Sequence, residues 1–237
     1  MVLYQLDGAY CYNSDTHFLS DFISSILKRY RNITGKLLDI GSGSGVLGLV
    51  IAKEFKKLEL YQNEIQDEFC RLCQINTKLQ NIKAKLFCGD FAKIDFKLKF
   101  DIIISNPPFY DKEVLKTKNQ NKHIARYNDN LPLELFIQKA SSLLDYRGRL
   151  FFCYDAKQFD KIILVLNIYK LNIQNIKFVH SKSNTNAKLV MIYARLDSKS
   201  KTTIEPPAIV FDSFGKQTKY TKDIFNKSSL YSIKGRF

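Results

Sequence analysis

The apolar run Phe100-Asp101-Ile102-Ile103-Ile104-Ser105 ends in Asn106-Pro107-Pro108-Phe109. An unbroken apolar run of this length reads as a strand buried on both faces, so the tetrapeptide sits in the turn that leaves it, and consecutive prolines fix the backbone there. The chemistry that suits these groups is methylation of a planar amine. The lone pair of such an amine is delocalised into its ring, which makes it a poor nucleophile. Two acceptors, the Asn106 side-chain oxygen and the Pro107 carbonyl, would draw its protons and favour a pyramidal nitrogen. That is catalysis by positioning and electrostatics rather than by a strong base. Phe109 would stack on a base swung out of its own stack, and Tyr110 would extend that platform.

A methyl donor needs its own site, and Leu37-Leu38-Asp39-Ile40-Gly41-Ser42-Gly43-Ser44-Gly45 supplies one earlier in the chain. Small residues let the backbone approach a ligand, and the loop feeds a helix N-terminus whose N–H groups favour a carboxylate or phosphate. The spacing G-x-G-x-G departs from the dinucleotide fingerprint G-x-G-x-x-G, and no P-loop lysine follows. S-adenosylmethionine remains, with its carboxylate at the helix start near Gly41 and Gly43. Asp39, at the strand end, would meet the methionine ammonium or cap the turn. Glu64, about twenty residues beyond the loop, lies where an acid accepts ribose hydroxyls. Asp90, after Gly89, would accept from the adenine amine with Phe91 against the ring; an isolated Gly-Asp also suits a plain turn.

The elements that must hold these residues alternate. Asn13-Ser14-Asp15 caps an amphipathic run through Phe18, Leu19, Phe22, Ile23, Ile26 and Leu27, the spacing of an opening helix. Strands follow at 36–40, 58–63, 84–88, 100–105 and 150–154, with helices at 46–54, 66–79, 131–144 and 156–169 between them. This order implies a parallel, doubly wound sheet. The runs 173–180 and 188–195 lie too close for a crossover and must form an antiparallel hairpin. The tail from Ser198 predicts a peripheral strand and a short helix.

With 237 residues the chain is long enough for one substantial α/β core. Thirty-seven Lys and Arg against 23 Asp and Glu leave +14, an excess that favours polyanionic partners. Its placement matters more than its size. Lys112, Lys116, Lys118, Lys122 and Arg126 follow the Asn-Pro-Pro-Phe turn directly, and the residues from Ser198 add eight basic side chains against three acids. No run reaches the roughly 18 apolar residues of a membrane span, and the first residues lack a secretory pattern, so the expected location is cytoplasmic. Five cysteines, an odd number, predict reduced thiols. Neither Cys70-x-x-Cys73 nor the scattered His17, His123 and His180 has the pattern of a metal site.

Taken together, Asn13-Ser14-Asp15-Thr16, the Asp39 to Leu47 loop, Asn63-Glu64, Gly89-Asp90, Asn106-Pro107-Pro108-Phe109-Tyr110, Ala125-Arg126, Asn186-Ala187 and Pro206-Pro207-Ala208-Ile209-Val210-Phe211-Asp212 resemble the bacterial adenine-N6 methyltransferases that modify valine tRNA next to the anticodon. The resemblance implies a Rossmann-like class I methyltransferase, α/β, whose mostly parallel seven-stranded sheet ends in an antiparallel hairpin strand. It implies S-adenosylmethionine held by Asp39, Gly41, Gly43, Glu64 and Asp90, with Asp15 closing over the methionine end. Asn106, Pro107 and Phe109 would handle the adenine, and Tyr110, Lys112, Lys116 and Arg126 the surrounding RNA. Residues 1–197 would form the catalytic domain and 198–237 a basic extension, in a monomer without metal. The same turn also suits a guanine of ribosomal RNA or a release-factor glutamine. A non-catalytic RNA-binding module is the remaining reading, against which stand an intact Asn106, Glu64 and loop glycines.

Overall fold

The computed structural model describes residues 1–8, 11–107 and 131–235. Its elements follow the apolar patterning closely. Asn13 caps helix α1 (Ser14–Leu27), its side chain accepting the Asp15 N–H at 3.0 Å. Strand β2 (Gly35–Ile40), helix α2 (Val46–Glu54), β3 (Leu58–Glu64), α3 (Asp67–Leu79), β4 (Ala84–Cys88) and β5 (Phe100–Ser105) come next. After the undescribed stretch come α4 (Leu133–Leu143), β6 (Leu144–Asp155), α5 (Phe159–Ile168), β7 (Leu171–His180) and β8 (Ala187–Leu196). Residues 145–148 form an excursion inside β6, where the pairing with β5 jumps from Phe100↔Leu144 to Ile102↔Arg149 and Arg147 takes φ 55°.

The long strands lie in the order β4-β3-β2-β5-β6-β8-β7. All run parallel except β8, which is antiparallel to both β6 and β7. The mostly parallel seven-stranded sheet with its antiparallel hairpin strand is therefore borne out. Two short strands from the tail, β9 (Thr203–Ile204) and β10 (Ala208–Ile209), lengthen it by pairing parallel with β7. The short helix expected in the tail is α6 (Lys219–Ser228). It docks on α1 through His17, whose ring stacks on Phe225 at 4.4 Å and whose Nδ1 lies 2.8 Å from the Ser228 hydroxyl.

Aromatic side chains fill the layer between sheet and helices. Phe151 stacks on Tyr193 at 4.5 Å and meets Phe22 of α1 edge-on, while Phe152 meets Phe136 of α4 on the other face. Each of these rings is fully buried, which stabilises the fold by about 1.5–3 kcal/mol per side chain relative to exposure.

Two features go beyond the sequence expectations. A second sheet joins β1 (Val2–Leu6) in parallel to β11 (Tyr231–Gly235). The expectation of reduced thiols also needs correction. Cys70 of α3 is joined to Cys88, the last residue of β4, by a disulfide with Cα atoms 6.1 Å apart. An odd count of cysteines carries no information about which pair the fold brings together, and the start of α3 packs over the end of β4. Cys73 and Cys153 remain thiols. Among the described residues no helix is long and apolar enough to cross a membrane.

Candidate active site

Because β2, β3, β4 and β5 run the same way, the turns that leave them share one edge of the sheet. They border a cleft, about 990 Å³ with the space open to solvent included, walled by Asp39, Gly41, Gly43, Glu64, Asp90 and Asn106, among others. The glycine turn and the Asn-Pro turn thus open into the same space.

Gly41 and Gly43 take left-handed φ of 64° and 54°, which L side chains adopt at a cost. A Cβ on either would meet nothing within 4 Å, so they leave the cleft wall as bare backbone. Glu64 ties this turn to the next strand. Its Oε2 accepts the Gly43 N–H at 2.8 Å, and its Oε1 accepts those of Ile65 and Gln66, each at 2.9 Å. With roughly four lone-pair sites on a carboxylate, these bonds occupy three and leave one. Burial raises the Glu64 pKa and the three N–H groups oppose that shift. Asp39 is buried, and its Oδ2 accepts the Gly48 N–H at 2.8 Å from α2. Burial pushes its carboxyl up to about 7, the Gly48 bond works against the rise, and the nearby Glu64 charge adds to it.

Asp90 forms the tight turn that its sequence context allows, accepting the Ala92 N–H at 3.0 Å, with Lys93 Nζ 3.3 Å from its other oxygen. Phe91 is buried beside it on the cleft wall. Asp15 stands apart from the carboxylates of the cleft. Its oxygens accept from the Asn13 amide at 2.9 Å and the Ser14 hydroxyl at 3.2 Å, and it does not line the cleft, whereas Tyr12 and Thr16 on either side of it do.

In the turn that leaves β5, the Asn106 amide is held from both sides. Its Nδ2 donates to Thr16 Oγ1 at 3.2 Å, and its Oδ1 accepts from the Cys153 thiol at 2.8 Å. Pro107 is buried. Ser105, one residue earlier, donates to the Ile40 carbonyl at 2.9 Å and locks the end of β5 to β2. Pro108, Phe109, Tyr110, Lys112, Lys116 and Arg126 lie outside the described residues.

Several further residues brace the cleft. Asn63 donates to the carbonyls of Phe87 and Gly89, both at 3.0 Å, and so fixes where Asp90 begins. Gln5 of β1 donates to Ser44 Oγ at 2.7 Å, and Asn76 donates to the carbonyls of Ser44 and Tyr4 at 2.8 and 3.0 Å. The glycine turn is thereby braced from the N-terminal strand. Among the described residues no three His, Cys, Asp or Glu side chains gather as a metal site.

This donor set fits a ligand that is cationic at one end and polar along its length. Backbone without side chains, at Gly41 and Gly43, stands on the cleft wall near the buried Asp39 carboxyl. The Gln66 side-chain oxygen, also on the cleft wall, is buried without a hydrogen-bond partner, a position that calls for a donor from a ligand. A doubly wound sheet with one antiparallel hairpin strand is the Rossmann-like fold of the class I methyltransferases. A model of the methyltransferase small domain family matches residues 3–177, and the chain belongs to that family. A Flavobacterium psychrophilum protein described as a tRNA1(Val) (adenine(37)-N6)-methyltransferase is 27% identical over 205 residues, 84% of each chain. A protein of Christiangramia forsetii with the same description is 31% identical over 175 residues, 71% of this chain and 72% of its own. The resemblance carried by the sequence motifs is borne out at this level. A crystal structure of a predicted O-methyltransferase from Agrobacterium tumefaciens shares the fold with a TM-score of 0.68 at 17% identity, covering 92% of this chain and 99% of that one.

Proposed function

We propose that the protein methylates the exocyclic N6 amine of an adenine in structured RNA, and that this RNA is a tRNA modified next to its anticodon. The observation that carries the reading is the shared cleft, which Asn106 lines together with the glycine turn and Glu64. The descriptions of the relatives and the +14 charge point to RNA. When bound, S-adenosylmethionine supplies an electrophilic methyl group on sulfur. In this reading Gly41 and Gly43 hold its carboxylate, Asp39 its ammonium, Glu64 a ribose hydroxyl and Asp90 its adenine. The Asn106 oxygen and the Pro107 carbonyl then accept the protons of the target amine, Phe109 stacks on its ring, and the basic residues after it hold the RNA. With such a substrate the proposed location is the cytoplasm.

Mass spectrometry of tRNA nucleosides from a strain lacking this protein tests the assignment, the expected result being loss of N6-methyladenosine from one tRNA. Incubation with labelled cofactor, followed by separation of RNA from protein, discriminates against a glutamine acceptor. Label in the protein fraction alone would refute the RNA reading.

Two further outcomes follow from the local geometry. The Cys153 thiol is a neutral donor, because burial and the Asp15 charge hold its pKa well above the usual range. Removing it in Cys153→Ala frees the Asn106 amide to turn and should lower kcat by up to about tenfold, the value of one neutral hydrogen bond, with KM for the cofactor little changed. Cys153→Ser should recover most of the loss in steady-state assays. The second concerns pH. The Asp39 carboxyl titrates at about 7 in the free protein, and a cationic ligand selects its ionised form. Cofactor affinity is therefore full above that pH and falls by up to about tenfold per unit below it. Calorimetric titrations should show this slope in the wild type and none in Asp39→Asn.

A further inference from the structure

The edge that carries the cleft continues past β5. Strand β7 runs in the same direction as β6, both being antiparallel to β8, and β10 is parallel to β7 with Ile209 opposite His180. The C-terminal ends of β5, β6, β7 and β10 therefore stand in one row. Beyond β10 the chain rises from this row as a loop over residues 211–217, and the loop is built rather than loose. The Phe211 N–H donates to the Ser181 carbonyl at 2.8 Å, and Phe211 bridges Gln217. Asp212 Oδ1 accepts the N–H groups of Phe214 and Lys216, both at 2.9 Å, and the Asp212 N–H donates to the Lys216 carbonyl at 2.8 Å.

The product of this bonding is an aromatic ring held in water. Phe214 is 87% exposed, the highest value for a large hydrophobic side chain among the described residues. A single exposed ring is ordinary by itself; its surroundings distinguish this one. Lys157 after β6, Lys182 in the β7–β8 turn and Lys188 at the start of β8 belong to the same edge of the sheet, and Lys216 and Lys219 flank the ring in the chain. Both carboxylates at the strand ends of this row are turned onto backbone. Asp212 bonds as described, and Asp155 accepts the Lys157 N–H at 2.9 Å. Asp160 follows on α5, next to Lys161.

We propose that the 211–217 loop is a second RNA contact, where an unpaired base stacks on Phe214 while Lys216 and its neighbours hold the adjoining phosphates. Fixed aromatics among lysines are the usual platform for unstacked nucleotides. Four inter-strand steps of about 4.8 Å put the loop about 19 Å along the edge from β5, so the ring reads a nucleotide separate from the one entering the cleft. The inference rests on the RNA substrate proposed above.

The test uses the full-length protein and an unmodified valine-tRNA transcript carrying a fluorophore. Phe214→Ala should raise the Kd for the transcript about tenfold, Phe214→Trp should restore it, and S-adenosylmethionine affinity should stay at the wild-type value in both. Lys216→Ala should reduce the slope of log K against log salt by about one, as loss of one phosphate contact does, whereas Phe214→Ala should leave the slope alone. Unchanged transcript affinity in Phe214→Ala, in a protein whose wild type methylates that transcript, overturns the loop and spares the RNA reading. A wild type that neither binds nor methylates the transcript overturns both. Loss of affinity confined to a protein acceptor overturns the assignment of the ring to RNA.

Discussion

Asn106→Ala should lower turnover by about two to three orders of magnitude, the usual cost of removing one preorganised polar group from a reacting centre, with S-adenosylmethionine affinity near the wild-type value. The amide oxygen is the acceptor proposed for the target amine, and its direction is set by two fixed partners, Thr16 and Cys153. Alanine removes the acceptor and leaves those partners without their bond, yet it touches none of the N–H groups of the glycine turn. Calorimetry against the cofactor separates the two effects, and single-turnover assays locate the loss in the chemical step. Turnover equal to wild type would remove Asn106 from the mechanism.

Glu64→Gln should weaken cofactor binding by about ten- to a hundredfold, as expected when a charge-assisted bond worth about 1.5–3 kcal/mol is lost. The carboxylate accepts three backbone N–H groups and gives none. Glutamine has one oxygen and one NH₂, so whichever way the amide turns, an N–H of the protein confronts a donor. If the oxygen keeps Ile65 and Gln66, the Gly43 N–H loses its acceptor, and the turn proposed to carry the methionine end is released. Because burial already raises the Glu64 pKa, part of the charge advantage is offset, and the upper end of the range would require full ionisation in the complex. Equal cofactor affinity in the variant would remove Glu64 from the proposed cofactor site.

The strands bearing these residues were legible because each is a continuous or alternating apolar run, and the β7–β8 hairpin was legible because its two runs are too close for any other connection. Glycine spacing and the Asn-Pro-Pro turn gave away the two halves of the cleft for the same reason: their chemistry is written in consecutive residues. Thr16 and Cys153 were not. Cys153 sits within an apolar strand and reads as core; only the register of β6 on β5, Ser105 opposite Phe152, brings it to Asn106. The Cys70–Cys88 pair likewise depends on how α3 lies over β4. For Asp15, motif position pointed to the methionine end, while the cleft wall is formed by its neighbours Tyr12 and Thr16. Five residues such as Val2–Leu6 hold no signal of their own, since their partner is Tyr231–Gly235 at the opposite end of the chain.

That last pairing links places far apart in sequence. Gln5 touches Ser44 of the glycine turn, and β1 is completed only by β11. Whatever steadies the turn must also steady the closing segment, and by reciprocity fraying at residues 231–235 is transmitted to the glycine turn. Strands β1 and β11 act together as a clasp on that turn.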